Sequence, residues 1–85
     1  MANAYYVYIL LTENGTLYCG FTDDVQRRFE MHCSGKGAKY TRANKPVEIL
    51  YTKCYANKSD AQKEEWRIKH LSRSEKLKLI SENNL

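Results

Sequence analysis

Tyr8 and Tyr18 stand ten residues apart, Arg28 follows ten residues later, and His32 comes one helical turn after that. Packing alone would not choose these four polar groups for the positions they hold. Two tyrosines on a strand face and two cationic side chains on an inward helix edge make the framework of a polar site. The acidic pair Glu64-Glu65 is a fifth candidate. Ala61, Ile68 and Leu71 mark the apolar side of its helix, with Glu64 near the centre of that side and Glu65 near its edge. A carboxylate so placed must be paired or bind a metal, because leaving it unpaired costs several kcal/mol. The angles leave the choice between the two open and slightly favour Glu64.

The charge distribution adds a possible partner. The chain has a formal charge of +4. Residues 26–45 hold Arg27, Arg28, Lys36, Lys39, Arg42 and Lys45 against Glu30 alone, a net +5, so the remainder nets −1. An excess gathered into one quarter of a chain is a suitable footprint for a phosphate backbone. The plain alternative is a solvated loop whose lysines serve solubility.

These groups need elements to position them. Residues 5–11 are aromatic and branched and predict a strand. Residues 16–21 predict its hairpin partner, joined through Glu13-Asn14-Gly15. A two-residue loop would put Tyr6, Tyr8 and Leu10 on one face with Leu17, Cys19 and Phe21. A three-residue loop instead sets Val7, Ile9 and Leu11 with Leu17, Cys19 and Phe21, and Tyr6 and Tyr8 with Tyr18 and Gly20. Only the second separates an apolar face from a tyrosine face, so it is the expected register. Thr22 is the expected cap of a helix carrying Asp23 and Asp24 in its first turn. Val25, Phe29 and Cys33 form its apolar stripe. On the helical wheel Arg28 and His32 lie within roughly 60° and 20° of Val25, so both turn toward the sheet. Gly35 is the expected stop.

Residues 36–46 predict a basic loop around Tyr40, and residues 47–55 a third strand with Val47, Ile49 and Tyr51 on one side. Ser59-Asp60-Ala61-Gln62 predicts a capping box opening a second helix to about residue 71, and Ser72-Arg73-Ser74-Glu75 another opening a terminal helix through residue 80. The expected class is α+β, an α/β sandwich: a three-stranded antiparallel sheet flanked by helices in the order β-β-α-β-α-α. Eighty-five residues suggest a single domain over 1–85.

Other chemistries are set aside. The longest apolar run, residues 7–11, falls far short of the roughly 20 residues that span a bilayer. No signal-peptide pattern opens the sequence, and a cytoplasmic location is expected. Three cysteines without a C-x-x-C fit neither a disulfide framework nor a zinc ribbon. His32 and Cys33, as neighbours, cannot face one point on a helix, which argues against a zinc site or a Cys/His nucleophilic pair. Tyr5, Tyr51 and Tyr55 are expected in the core or at its rim, His70 on the surface, and Trp66 as a partly buried packing residue.

Tyr6-Val7-Tyr8, ten residues ahead of Tyr18-Cys19-Gly20, with Arg28 on the following helix, resembles the GIY-YIG nuclease superfamily. Gly35-Lys36-Gly37-Ala38-Lys39-Tyr40-Thr41-Arg42, then Pro46-Val47 and Ile68-Lys69, resembles its small stand-alone bacterial YhbQ-like group. The resemblance covers about residues 5–80. It implies catalytic roles for Tyr8, Tyr18, Arg28, His32 and Glu65, with Glu65 as the metal-binding glutamate. Tyr6 replaces the first glycine of the motif, and Phe21 stands where some members carry a lysine beside the scissile phosphate.

The implied chemistry is phosphodiester hydrolysis with Mg²⁺ or Mn²⁺ held by Glu65 and waters. Arg28 would stabilise charge on the phosphate. A tyrosine near pKa 10 is a poor base at neutral pH, so Tyr8 or Tyr18 would need cationic neighbours to relay a proton, with His32 sharing or orienting that role. Lys36, Lys39, Arg42 and Lys45 are the expected nucleic-acid contacts, with DNA as the expected partner and a repair protein as a further source of specificity. The expected function is a structure-selective or weakly specific DNA endonuclease in repair or recombination. A binding module that cuts poorly and a protein-interaction domain of a repair assembly are the alternatives.

Overall fold

A computed structural model describes residues 4–83. Strands β1 (Tyr5–Thr12) and β2 (Leu17–Thr22) form the hairpin. Helices α1 (Val25–Cys33) and α2 (Lys39–Ala43) follow, then strand β3 (Pro46–Tyr55). Helices α3 (Lys58–Lys69) and α4 (Arg73–Glu82) complete the chain. The sheet is antiparallel throughout, in the order β2-β1-β3. The class is α+β as expected, with one element more than the sequence predicts.

The hairpin has the three-residue loop. Tyr8 pairs with Gly20 and Ile9 with Cys19, so Tyr8 and Tyr18 share a face. Gly15 takes the left-handed conformation (φ 83°) and donates its amide to the Thr12 carbonyl (2.9 Å). The opposite face collects the core: Val7, Ile9, Cys19 and Tyr51 from the sheet against Ala61 and Ile68 of α3 and Ile80 of α4. Tyr5 and Tyr55 pack at its rim. On the tyrosine face, α1 brings His32 into contact with Tyr8 and Tyr18.

Several local expectations shift. Asp24, not Thr22, caps α1 by accepting from the Arg27 amide (3.1 Å), and Thr22 Oγ1 accepts from the Asp24 amide (3.2 Å) to set up that approach. Gly35 does end the helix with a positive φ. Asn57, not Ser59, caps α3 through the Asp60 amide (2.8 Å). Asparagine is as good a cap as serine, and the earlier start adds the Ala61 amide to Asn57 carbonyl bond. The box at Ser72 and Glu75 is present in both directions.

The even alternation expected of β3 is broken. Ile9 faces Tyr51 but Leu10 faces Ile49, and Leu11 faces Glu48 while Thr12 faces Pro46. Each extra residue on β3 resets the in-out pattern beyond it. Tyr51 is therefore buried and Val47 is 57% exposed. The segment expected as a loop contains the five-residue helix α2, too short to be stable alone. Tertiary contacts to Tyr40 and Thr41, described below, hold it.

Ile68 has no exposed surface and joins α3 to both β strands of the hairpin's apolar face. Ile68→Ala is expected to lower unfolding free energy in urea by roughly 2–5 kcal/mol, the range for emptying a packed aliphatic site.

Candidate active site

Tyr8, Tyr18, Arg28 and His32 come together where α1 covers the tyrosine face. The alternation of β1 and β2 turns both tyrosines to this side, and helical spacing brings Arg28 and His32 down onto it. Tyr8 is 2% exposed, and its Oη lies 3.0 Å from His32 Nε2. Its ring crosses directly over Gly20, where an added Cβ would strike Oη and Cζ. That contact accounts for the glycine of Tyr18-Cys19-Gly20. The Tyr18 ring meets His32 edge-on, with centroids 5.2 Å apart, and is half-buried.

His32 is completely buried and is the one residue of α1 buried outright; Val25, Phe29 and Cys33 of the expected stripe are only half-buried. Its other nitrogen, Nδ1, lies 2.7 Å from Thr41 Oγ1 on α2. Burial, and secondarily the charge on Arg28, lowers the pKa of the imidazole, so the ring is neutral at neutral pH. Burial pushes the Tyr8 phenol up to about 12, an effect that neighbouring Arg28 opposes.

Gly37 and Thr41 are site residues that the sequence reading passed over. A Cβ on Gly37 would overlap His32 Nδ1, so the chain can close over the ring only with glycine there. The clue available in the sequence was the pair Gly35 and Gly37. The first is a helix stop; the second does not take a positive φ and so needs a contact to explain it.

The basic segment is docked rather than free. The Tyr40 hydroxyl hydrogen-bonds to Thr16 and Asn14 of the hairpin, and its ring stacks parallel to Tyr18. The Glu13 amide donates to the Lys45 carbonyl (2.9 Å). Lys36, Lys39, Arg42 and Lys45 are all exposed, and among the described residues none of the four makes an ion pair.

Glu65 stands outside the tyrosine cluster. It lies on α3, which packs against the apolar face, and its main-chain carbonyl is 3.9 Å from Cys19 Sγ of edge strand β2. Burial, then the nearby Glu65, pushes the Cys19 thiol up to about 12. The carboxylates differ in their commitments. Arg67 donates to both oxygens of Glu64, at 2.6 and 2.7 Å, and this holds Glu64 below the usual carboxylate range. Glu65 has one loose contact, 3.7 Å to Lys69 Nζ. Glu64 thus serves an ion pair, and Glu65 is the freer of the two carboxylates.

No group of three or more His, Cys, Asp or Glu side chains among the described residues could cage a metal. One available carboxylate instead fits a hard divalent cation that keeps most of its waters. Trp66, expected to be partly buried, is 63% exposed and stacks on His70 at 4.0 Å. No helix among the described residues is long and apolar enough to cross a membrane.

Comparison with known proteins bears on the family and the fold. Residues 4–78 match the model of the GIY-YIG catalytic domain. The chain belongs to the GIY-YIG family. A UPF0213 protein of Oceanobacillus iheyensis is 54% identical over 80 residues, covering 94% of this chain and 93% of that one. A UPF0213 protein of Bacillus pumilus is 47% identical over 78 residues, covering 92% and 80%. Among solved structures, the solution structure of a UPF0213 protein from Bacillus halodurans superposes with a TM-score of 0.62 at 45% identity, covering 94% of this chain and 85% of that one. A protein of E. faecalis gives a TM-score of 0.63 at 35% identity, covering 95% and 88%. This GIY-YIG chain thus shares its fold with the small bacterial UPF0213 proteins, and its domain is that of a nuclease superfamily.

The buried imidazole makes the stability of this GIY-YIG domain depend on pH. Arg28 on its own helix, Tyr8 and Tyr18 on the sheet and Thr41 on α2 face the ring, with no carboxylate among them. Since the folded state lowers the His32 pKa, the unfolded chain binds its proton first as pH falls below the ordinary value of 6.5. Stability contributed by neutral His32 is complete above that value and is lost below it. Urea midpoints are expected to fall between pH 7.5 and 5.5, and His32→Gln is expected to flatten that fall.

Proposed function

We propose that this chain is a metal-dependent endonuclease that hydrolyses phosphodiester bonds in DNA, with weak sequence preference. The observation that carries the reading is the convergence of Tyr8, Tyr18, Arg28 and His32 beside four exposed cations that make no ion pair among the described residues. Arg28 is half-buried at the edge of the cluster, where its guanidinium can meet a phosphate oxygen and stabilise the charge that grows there. Lys36, Lys39, Arg42 and Lys45 hold the backbone on either side without reading bases. Tyr8 is the tyrosine whose hydroxyl meets a proton acceptor, so it takes the proton of the attacking water, while Tyr18 walls the site beside Tyr40. Glu65, the freer carboxylate, would hold a divalent cation, whose chemistry would be to neutralise charge developing in phosphodiester cleavage. DNA repair or recombination is the setting proposed for this cutting, with a repair protein as the partner that would add specificity.

A second reading has one observation in its favour. Phe21 is half-buried against the apolar core, so the place where some family members carry a lysine contributes no charge. In that reading the domain binds nucleic acid and cuts slowly or not at all.

Labelled duplex, single-stranded, flapped and branched DNA with Mg²⁺, Mn²⁺ or EDTA separates the two. Cutting with metal and none with EDTA supports the nuclease; binding without cutting selects the module. Glu65→Gln is expected to abolish cleavage while leaving affinity in EDTA unchanged. Glu64→Gln is expected to leave cleavage in place and lower stability, since it frees Arg67. Arg28→Ala is expected to slow cleavage by about 10²-fold or more. Inactivation by Glu64→Gln alone would instead put the metal ligand one residue earlier.

Affinity itself has a separate readout. Replacing Lys39 and Arg42 by alanine is expected to reduce the slope of log K against log salt by roughly two, measured on one duplex between low and physiological salt. An unchanged slope would assign these cations to solubility.

A further inference from the structure

The hydrogen bonds around His32 favour one arrangement of protons. Thr41 has a single hydroxyl proton, and its Oγ1 lies 2.9 Å from the Ala38 carbonyl oxygen, which can only accept. Without a proton between them, two oxygens at that distance would repel. With the proton placed there, Thr41 Oγ1 meets His32 Nδ1 as an acceptor, so Nδ1 carries hydrogen. A neutral imidazole has one N–H, which leaves a lone pair on Nε2, and Tyr8 Oη must donate to it. His32 and Thr41 are both 0% exposed, so bulk water does not compete for these positions.

We infer that Thr41 is a positioning residue that holds His32 in the Nδ1–H tautomer, leaving Nε2 as the acceptor of the Tyr8 hydroxyl proton. The direction of the whole chain is then set: Tyr8 donates to His32, His32 to Thr41, and Thr41 to the Ala38 carbonyl. Gly37 is part of the same device, because its missing Cβ lets the segment carrying Thr41 close against Nδ1.

The kinetic consequence rests on the hydrolytic reading above. As water attacks phosphorus, the water O–H bond breaks, its proton joins Tyr8 Oη, and the Tyr8 proton moves to His32 Nε2. The new P–O bond forms as the bond to the leaving oxygen breaks, and that oxygen takes a proton from solvent. His32 is left as an imidazolium, with Nδ1–H still on Thr41, and returns its extra proton through Tyr8 to solvent. Tyr8 never has to become a phenolate, which its raised pKa would make costly. The lowered His32 pKa makes the imidazolium a transient state that gives its proton back readily. The opposite tautomer would place a hydrogen on Nε2 and block the transfer.

Nitrogen-15 NMR of the His32 ring at pH 7.5, recorded with Thr41→Val and Thr41→Ser variants, tests this directly. The wild-type ring is expected to show a protonated Nδ1 and an unprotonated Nε2. Thr41→Val, which keeps the shape and removes the hydroxyl, is expected to lose that single pattern, and Thr41→Ser to keep it. In single-turnover cleavage the valine variant is expected to be slower by roughly 10²-fold at unchanged DNA affinity in EDTA, with serine restoring the rate. A wild-type ring protonated at Nε2, or a valine variant with the wild-type tautomer, overturns the inference. Loss of the tautomer with no change in rate overturns its catalytic half. Should the valine variant fail to fold, the wild-type and serine spectra still decide the tautomer. Absence of cleavage by the wild type would count against the hydrolytic reading, and the NMR result would stand apart from it.

Discussion

A neutral imidazole sealed between a strand and a short helix, bonded at both nitrogens, governs the polar face of this domain. Burying His32 without partners would leave two polar atoms unsatisfied, each at a cost of about 1–3 kcal/mol. Tyr8 and Thr41 remove that cost, and no buried side-chain polar atom among the described residues lacks a partner. The same two bonds fasten the segment after α1 to the sheet. Glycine at 20 and at 37 follows from them, since a side chain at either position would strike Tyr8 or His32. A motif that looks like loop composition is in this sense the closure over one ring.

The sheet divides its labour by face. One side is apolar and supplies the core under α3 and α4; the other is polar and carries the tyrosines under α1. Such a division needs the strict alternation of β1 and β2, which a one-residue slip in the hairpin would invert. It also explains why the two glutamates of α3 have different fates. Glu64 is tied by Arg67, with the Tyr55 hydroxyl close by, so it stabilises the helix where it packs on β3. Glu65, one residue on, emerges beside the edge strand β2 with little to hold it. An ion pair with both oxygens engaged is a poor candidate for metal binding, because a ligand would first have to break it.

The basic segment gains its order from neighbours rather than from its own propensity. Tyr40 is hydrogen-bonded to the hairpin turn and stacked on Tyr18, and Thr41 is inserted beneath it against His32. The backbone is thereby pinned while Lys36, Lys39, Arg42 and Lys45 keep their side chains in solvent. Cations presented from a fixed backbone next to a polar cluster can meet consecutive phosphates at a lower ordering cost than the same charges on a free loop.

The amino-acid sequence by itself determined the strands, the three-residue hairpin register, the helices after them, and the gathering of Tyr8, Tyr18, Arg28 and His32 on one side. These follow from local periodicity and turn chemistry, whose range is a few residues. What only the tertiary structure decided involves contacts between segments far apart in the chain. The bulges in β3 depend on pairing with β1, so Val47 emerges where simple alternation would bury it. Helix α2 has no strong signal of its own, and Asn57 outcompeted an equally plausible serine cap. Helix angles alone left Glu64 and Glu65 undivided, and only the fold shows that Arg67 holds the first with both hydrogen bonds. The proton direction through His32 was beyond the reach of spacing altogether, because it depends on a carbonyl at Ala38 and a hydroxyl at Thr41 that folding brings to the ring.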